Sequence, residues 1–269
     1  MAIKPLKQFG QHFLTDTEMA DRIVASAELQ CSEPVWEIGP GKGVLTERLL
    51  EQTDKLTAFE IDFRLSDFLR NRFGDRLNLV NRDILAVNWL ELLAQARQES
   101  GQQVKLVSNL PYQITSPILY ALEKNAEHFS RIVLMIQKEV AERLTARAAS
   151  KAYGVLTLKV GYSFDTTLLF HVPPSSFTPE PKVHSSVVLL TPRTDKPNPK
   201  SLDIYRRIID KAFEQRRKTL RNNLRRMFNT EDVAKLESGS GIDFNRRGET
   251  IDEGEYIRLA DCAFDLMRH

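Results

Sequence analysis

"PVWEIGPGKGVLTERLLEQ", residues 34–52, begins with a short apolar run, turns through three glycines and continues as a helix-like segment. Glycine accepts a positive φ and lets a backbone approach a ligand closely. The helix that starts directly after the turn offers free N–H groups. Strand, glycine turn and helix in this order open a βαβ unit, with a nucleotide-type site at the carboxyl end of the first strand. Gly39, Gly41 and Gly43 are spaced G-x-G-x-G. A dinucleotide fingerprint needs its third Gly one residue later. Glu37 beside them would repel a pyrophosphate and suits a cationic or zwitterionic ligand. A plain turn would also explain a glycine loop, so the rest of the chain has to decide.

The pattern repeats along the first 180 residues or so. Residues 16–30 predict a helix capped by Asp16 or Thr17. "KLTAFEID" predicts a second strand, "FRLSDFLRNRF" a helix stopped at Gly74, and "LNLVNRD" a third strand. "AVNWLELLAQARQES", "QVKLVSNL", "ITSPILYALEKNA", "FSRIVLMIQ" and "KEVAERLTARA" continue the alternation. Strands separated by helices mean a mostly parallel sheet. "GVLTLKVGYSFDTTLLFHV" and "SSVVLLTPR" read as later strands with no helix between them, hence an antiparallel edge. "TDKPNPKS", residues 194–201, reads as a linker. Beyond it, Tyr205, Ile208, Ile209, Ala212 and Phe213 form one apolar stripe of a helix spanning 205–226. The expected organisation is a Rossmann-like sheet domain over 1–195 and a small all-helical domain over 200–269.

Composition is that of an ordinary globular chain, 42% apolar and 28% charged over 269 residues. Its two cysteines, Cys31 and Cys262, lie far apart, which argues against a disulfide scaffold or a zinc site and fits a reducing compartment. No long apolar segment suggests a signal peptide or a membrane span. Charge is unevenly spread. From Lys182 to Arg226, 13 Lys or Arg stand against 4 Asp or Glu; from Met227 to His269, 5 stand against 10. A solvated helix face and a polyanion-binding surface both explain such a basic block.

Two further strand ends supply carboxylates. Glu60 follows the second strand, where an acceptor can take both ribose hydroxyls. Asp83 follows the third, where it can accept from an adenine amino group while Ile84 flanks the ring. A surface Glu and a helix N-cap are the alternatives. No Lys-Ser/Thr pair follows the glycines, which disfavours a triphosphate. Adenosine with a charged tail that is not phosphate points to S-adenosylmethionine.

The fourth strand ends in "SNLPY", residues 108–112, facing the same crevice. The Asn109 side-chain carbonyl and the Leu110 backbone carbonyl can accept the two hydrogens of an exocyclic amine. Pro111 restricts Leu110 to an extended shape, and Tyr112 can stack on a base. Two such acceptors would aim the nitrogen lone pair at an electrophilic methyl carbon.

With these motifs in place the chain resembles the ribosomal RNA small-subunit adenine N6-dimethyltransferases. The resemblance rests on "LKQFGQHFL" (6–14), "EIGPGKG" (37–43), Glu60, Asp83, "NLPY" (109–112), "QKEVAERL" (137–144), "YGVLT" (153–157), "VPPSSFTPEPKVHSSVV" (172–188) and "FEQRRKTLRNNL" (213–224). It implies transfer of two methyl groups from S-adenosylmethionine to N6 of each of two adjacent adenosines near the 3′ end of small-subunit rRNA. It implies cofactor contacts from His12, Leu14, Gly39, Gly41, Glu60, Asp83, Ile84 and Asn109, with residues 11–14 closing over the cofactor. Many members carry Asn where His12 stands; a contact through the backbone would survive that change. Phe177 is expected to sandwich a flipped adenine against Tyr112. Arg217, Lys218, Arg221 and Arg225 are expected to contact RNA, with Arg217, Arg221 and Arg225 on one helix face. The expected setting is a cytoplasmic monomer acting on a pre-30S particle, without a metal. The rival enzymatic reading is a large-subunit rRNA adenine methyltransferase of the antibiotic-resistance type. A mainly noncatalytic assembly factor is the rival of another class.

Overall fold

The computed structural model describes residues 4–6, 10–195 and 197–268. Residues 7–9 of the "LKQFGQHFL" stretch and Lys196 of the expected linker lie outside the described residues. In chain order the first unit contains β1 (Phe13–Leu14), α1 (Thr17–Ala25), β2 (Val35–Ile38), α2 (Val44–Leu49), β3 (Leu56–Phe59), α3 (Phe63–Phe73) and β4 (Asn78–Val80). It continues with α4 (Trp89–Ser100), β5 (Val104–Asn109), α5 (Thr115–Lys124) and β6 (Phe129–Gln137), and α6 (Lys138–Leu144) follows. Next come α7 (Val155–Ser163), β7 (Phe164–Val172), β8 (Phe177–Thr178) and β9 (Ser185–Pro192). The remaining helices are α8 (Leu202–Phe213), α9 (Leu220–Leu224), α10 (Thr230–Ser240) and α11 (Glu253–Met267).

Seven strands form one sheet in the order β4-β3-β2-β5-β6-β9-β7. The pairs from β4 to β6 are parallel; β9 runs antiparallel to both β6 and β7. This is the Rossmann-like sheet with an antiparallel edge expected from the sequence. Strand order reverses between β2 and β5, and in such sheets ligands bind outside the carboxyl ends at that point. Helix starts are capped where short polar residues allow it. Asp16 accepts from Met19 N–H, Asp62 from Arg64 N–H and Asn88 from Glu91 N–H.

The interior below the crevice is aromatic. Trp36 meets Phe59, Trp89 and Phe129 edge-on at 4.9, 5.8 and 6.1 Å. Fully burying each Phe ring stabilises by roughly 1.5–3 kcal/mol. The Trp89 indole N–H donates to the Ile84 carbonyl at 2.8 Å, so the same cluster pins the loop after β4.

Residues 142–163 and 193–269 make up the second unit. Its core joins Tyr153, Leu158 and Tyr162 to Tyr205, Ile208, Ile209 and Tyr256. Two segments differ from the sequence expectation. The "GVLTLKVGYS" half of the expected long strand is helix α7, and residues 142–163 pack with the helical unit rather than with the sheet. Alternating Val, Leu, Thr and Lys mimics a strand, but Leu156, Leu158, Val160 and Tyr162 are all buried, and packing overrides β propensity. The single helix expected over 205–226 stops at Phe213 and restarts at Leu220. Thr219 caps the restart, and the N–H groups of Leu220 and Arg221 donate to the carbonyls of Arg246 and Phe244, not back along a helix.

Gly43 precedes α2 at φ +81°, and a Cβ there would lie 2.7 Å from Phe73 and 3.0 Å from Leu69. Gly43→Ala is therefore expected to destabilise the sheet unit by about 2–3 kcal/mol, from left-handed strain plus overpacking against α3. Urea unfolding followed by tryptophan fluorescence checks this, since Trp36 and Trp89 both lie in that unit.

Candidate active site

Parallel pairing aligns the strand ends. Ile38 stands opposite Phe59, and Phe59 opposite Val80. The next residues along these strands, Gly39, Glu60 and the turn leading to Asp83, therefore lie on one rim. Gly39 N–H donates to the Phe59 carbonyl and Glu60 N–H to the Val80 carbonyl, extending the ladder past the strands. On the other side of the switch point, Ser108 donates to the Ile38 carbonyl at 2.5 Å, bracing β5 against β2.

The rim opens into a cavity of about 1130 Å³, counted to its open mouth. His12, Leu14, Gly39, Gly41, Glu60, Asp83, Ile84, Asn109, Leu110, Pro111, Tyr112 and Phe177 all line it. The cofactor and acceptor residues expected in the sheet domain thus border one cavity, while Gly43 does not line it. Gln11, Ile61 and Arg82 also line it, and the sequence reading passed over them. Ile61 is 48% exposed although it is large and apolar, a surface suited to a flat ring. Only its position directly after Glu60 could have signalled it.

Two buried carboxylates dominate the electrostatics. Glu37 is 2% exposed, and Thr46 Oγ1 donates to its Oε2 at 2.7 Å. Burial pushes Glu37 up to about 8 against that hydrogen bond, with the nearby Glu60 adding to the rise. Glu60 accepts from Gly41 N–H at 3.2 Å and from Asp62 N–H at 2.9 Å. Burial still raises Glu60 to about 6, outweighing both bonds. Asp62 moves the opposite way, held below the usual carboxylate range mainly by the Arg64 guanidinium at 2.6 Å. It also accepts from Gln11 Nε2 at 3.1 Å, and Gln11 in turn accepts from Leu6 N–H at 2.8 Å. These bonds tie the N-terminal segment to the turn that carries Glu60.

The 109–112 turn is held from both sides. Leu110 N–H donates to the Met135 carbonyl at 3.1 Å, and the Pro111 carbonyl accepts from Ile114 N–H and Thr115 Oγ1. Pro111 sits at φ −56°, ψ 130°. The Tyr112 hydroxyl lies 2.8 Å from Ser185 Oγ, and burial raises its pKa. Phe177 borders the same cavity as Tyr112. That ring is 2% exposed, packed in the core of the sheet unit, and paired through its backbone with Leu14. The ring stacked near Tyr112 is His12, 5.9 Å away.

The basic residues of the helical unit divide. Arg217 and Lys218 are exposed in the turn between α8 and α9, and Arg225 is exposed at the end of α9. Arg221 is engaged by both oxygens of Glu237 at 2.7 and 2.6 Å. The shared face expected for Arg217, Arg221 and Arg225 does not exist, because the helix breaks between them. Arg217 instead joins Lys151, Arg216 and Arg247 around a shallow groove that also contains Ser150 and Glu249. Lys151 and Arg247 lie far away in sequence and gave no local signal. Among the described residues no cluster of three or more His, Cys, Asp or Glu side chains could hold a metal ion. No helix among them is long and apolar enough to cross a membrane.

Comparison with known proteins agrees with this geometry. The family model described as ribosomal RNA adenine dimethylase matches residues 4–264. Ribosomal RNA small subunit methyltransferase A of Picosynechococcus sp. is 42% identical over 99% of this chain and all of its own. The protein of that name from Shewanella loihica is 40% identical over 96% of this chain and 94% of its own. Among solved structures, a dimethyladenosine transferase from Plasmodium falciparum superposes with a TM-score of 0.74 at 26% identity, covering 92% of this chain and 96% of that one. The 23S rRNA methyltransferase ErmE superposes with a TM-score of 0.69 at 25% identity, covering 93% and 98%. Glycine cradle, paired carboxylates and Asn-Leu-Pro-Tyr turn on one rim, together with a match spanning almost every residue, show that the chain belongs to the ribosomal RNA adenine dimethylase family.

Proposed function

We propose that the chain uses the crevice between β2 and β5 to dimethylate N6 of two adjacent adenosines near the 3′ end of small-subunit rRNA. The observation that carries this reading is the placement of Asn109, Leu110, Pro111 and Tyr112 on the same cavity as Gly39, Glu60 and Asp83. The methyl donor is S-adenosylmethionine, and the donor set fits it. Gly39 and Gly41 would cradle the tail, Glu60 would accept from the ribose hydroxyls, and Asp83 would accept from the adenine amino group beside Ile61 and Ile84. When bound, this cofactor supplies an electrophilic methyl group on a sulfonium.

The chain itself orients the acceptor. An aromatic amine is a weak nucleophile because its lone pair is delocalised into the ring. The Asn109 and Leu110 carbonyls accept its two N–H bonds and favour a pyramidal nitrogen, placed in line for transfer. The alkylated nitrogen sheds its proton readily, so no strong general base is required. The second transfer needs rotation about C6–N6, after which the remaining N–H takes one of the same acceptors. Tyr112, fixed by Ser185, offers the stacking face.

The helical domain over about 200–269, joined by residues 142–163, is the part assigned to grip RNA. Arg217, Lys218 and Arg225 are exposed, and the Lys151–Arg217–Arg247 groove adds a concave basic site. Arg221, paired with Glu237, serves the fold of that domain more than the RNA. A monomer acting on a pre-30S particle in the cytoplasm completes the reading. The superposition with ErmE keeps a large-subunit target as the second reading, disfavoured by relatives near 40% identity named for the small subunit.

Asn109→Ala is expected to lower methyl transfer about 10²- to 10³-fold while sparing binding of immature small subunits. Nucleoside mass mapping with a labelled donor measures the transfer and names the subunit modified; methylation confined to large-subunit RNA would reject the reading. Lys151→Ala with Arg217→Ala and Arg247→Ala should weaken RNA binding with little effect on cofactor affinity. It should flatten the salt slope by about 0.7–0.9 for each phosphate that is no longer neutralised. Filter binding between about 50 and 200 mM salt checks this, the range where such electrostatic pairing dominates. Cofactor binding should also depend on pH. A cationic ligand favours ionised Glu37 and Glu60, which ordinarily hold protons up to about 8 and about 6. Affinity should therefore rise as pH climbs towards about 6 through Glu60 and on towards about 8 through Glu37, with proton release on binding. S-adenosylhomocysteine, lacking the sulfonium charge, should show a smaller rise when both are compared by calorimetry.

A further inference from the structure

Asp62 stands two residues beyond Glu60 and directly before α3, and it does more than cap that helix. Only 4% of it is exposed. Its Oδ1 accepts from the Arg64 N–H at 3.1 Å and from Arg64 Nε at 3.0 Å. Its Oδ2 accepts from a terminal Arg64 nitrogen at 2.6 Å and from Gln11 Nε2 at 3.1 Å. A carboxylate has about four lone-pair sites, so this one is saturated. Capping needs only the first of these bonds. The others fix the Arg64 fork and reach a side chain 51 residues earlier.

The same residue acts on Glu60 through its backbone. Asp62 N–H donates to Glu60 Oε1 at 2.9 Å, and Gly41 N–H donates to Oε2 at 3.2 Å. Each Glu60 oxygen is thereby held once and keeps a lone pair for another donor. Gln11 is fixed at both ends of its amide, with Nε2 on Asp62 and Oε1 accepting from Leu6 N–H at 2.8 Å. Gln11 and Glu60 both line the cavity, and Asp62 does not. It touches both lining residues without reaching the space they border.

Resting on the cofactor seat of the proposed function, we infer that Asp62 is a positioning residue of that seat: its N–H orients Glu60 towards the ribose, and its carboxylate holds the Gln11 side chain in the cavity wall. The polarity of the pair is definite. Asp62 offers only acceptors, so Gln11 presents its amide nitrogen and keeps its oxygen for Leu6. A carboxylate in place of that amide would set two anions against each other across the same 3.1 Å.

The test exchanges this polarity in the full chain, with Gln11→Glu, Asp62→Asn, the two together, and Gln11→Ala as the plain deletion. Asn is as good a helix cap as Asp, so α3 keeps its start, and urea unfolding checks that the fold is retained. Calorimetric binding of S-adenosylhomocysteine is measured for each, with KM for S-adenosylmethionine and kcat at its saturation. Gln11→Ala and Asp62→Asn should each weaken binding about threefold to tenfold, the size of one hydrogen bond. Gln11→Glu should weaken it by about tenfold or more, through contact of like charges. The double variant should return to within about threefold of the unaltered chain, because the introduced amide can donate to the introduced carboxylate. Throughout, kcat should stay within about threefold. Losses that simply add in the double variant, or unchanged binding in Gln11→Glu, would overturn the inference and leave Asp62 a helix cap alone. So would a fall in kcat with cofactor affinity intact. If the unaltered chain does not bind S-adenosylhomocysteine, the inference and the cofactor seat fall together. If binding follows the exchange while small subunits stay unmethylated, the inference stands and the rRNA reading falls.

Discussion

The register of the parallel pairing is the constraint on which the site depends. Ile38 opposite Phe59, and Phe59 opposite Val80, bring three chain reversals to one level. A slip of one residue would send Glu60 to the other face of the sheet and leave the glycine turn without its neighbour. The register is protected from both faces, because β2 is buried at every position and Trp36 is locked among three other aromatic rings. Ser108 then fixes the remaining degree of freedom by donating to Ile38 across the switch point. The geometry of the rim thus follows from strand alignment.

That alignment places two carboxylates in a poorly solvated spot, which opposes folding above the pH where they would ionise in the open chain. Glu37 and Glu60 are both raised, so stability they could contribute when protonated is lost as pH rises from the ordinary glutamate range towards about 6 and then about 8. Asp62, held low by Arg64, works in the other sense, and its contribution disappears only as pH falls through its depressed value. A site that retains two such groups has a use for latent negative charge. A cationic ligand with ribose hydroxyls supplies what burial removed, and this couples cofactor binding to ionisation more directly than any surface pair could.

Much of this was legible from the residues because each signal was local. Strand, glycines and helix follow one another within 34–52, Glu60 directly follows a strand, Asn109 ends one, and Asp83 lies three residues beyond another. Failures came where the decisive partner is distant. α7 alternates like a strand, and only burial against Tyr205 and its neighbours makes it helical. The basic stretch after Phe213 keeps a four-residue spacing of Arg217, Arg221 and Arg225, yet Thr219 and the loop around Arg246 interrupt the helix. Lys151 and Arg247 reach Arg217 only through tertiary structure.

The division between the two units also bears on specificity. Phosphate contacts carry little sequence information, so a groove of Lys151, Arg217 and Arg247 can hold folded RNA without choosing a base. On the proposed reading, choice then falls to the 109–112 turn, whose two carbonyl acceptors would demand a primary or once-methylated amine. Adenine and cytosine both present one; a bicyclic ring covers the stacking surface beside Tyr112 more fully than a pyrimidine. A guanine docked in the adenine pose would set its O6 against the Asn109 and Leu110 oxygens, its own amine lying at C2 instead. Base identity is thus read by repulsion between acceptors as much as by attraction, and the rigidity of the turn is what makes that repulsion effective.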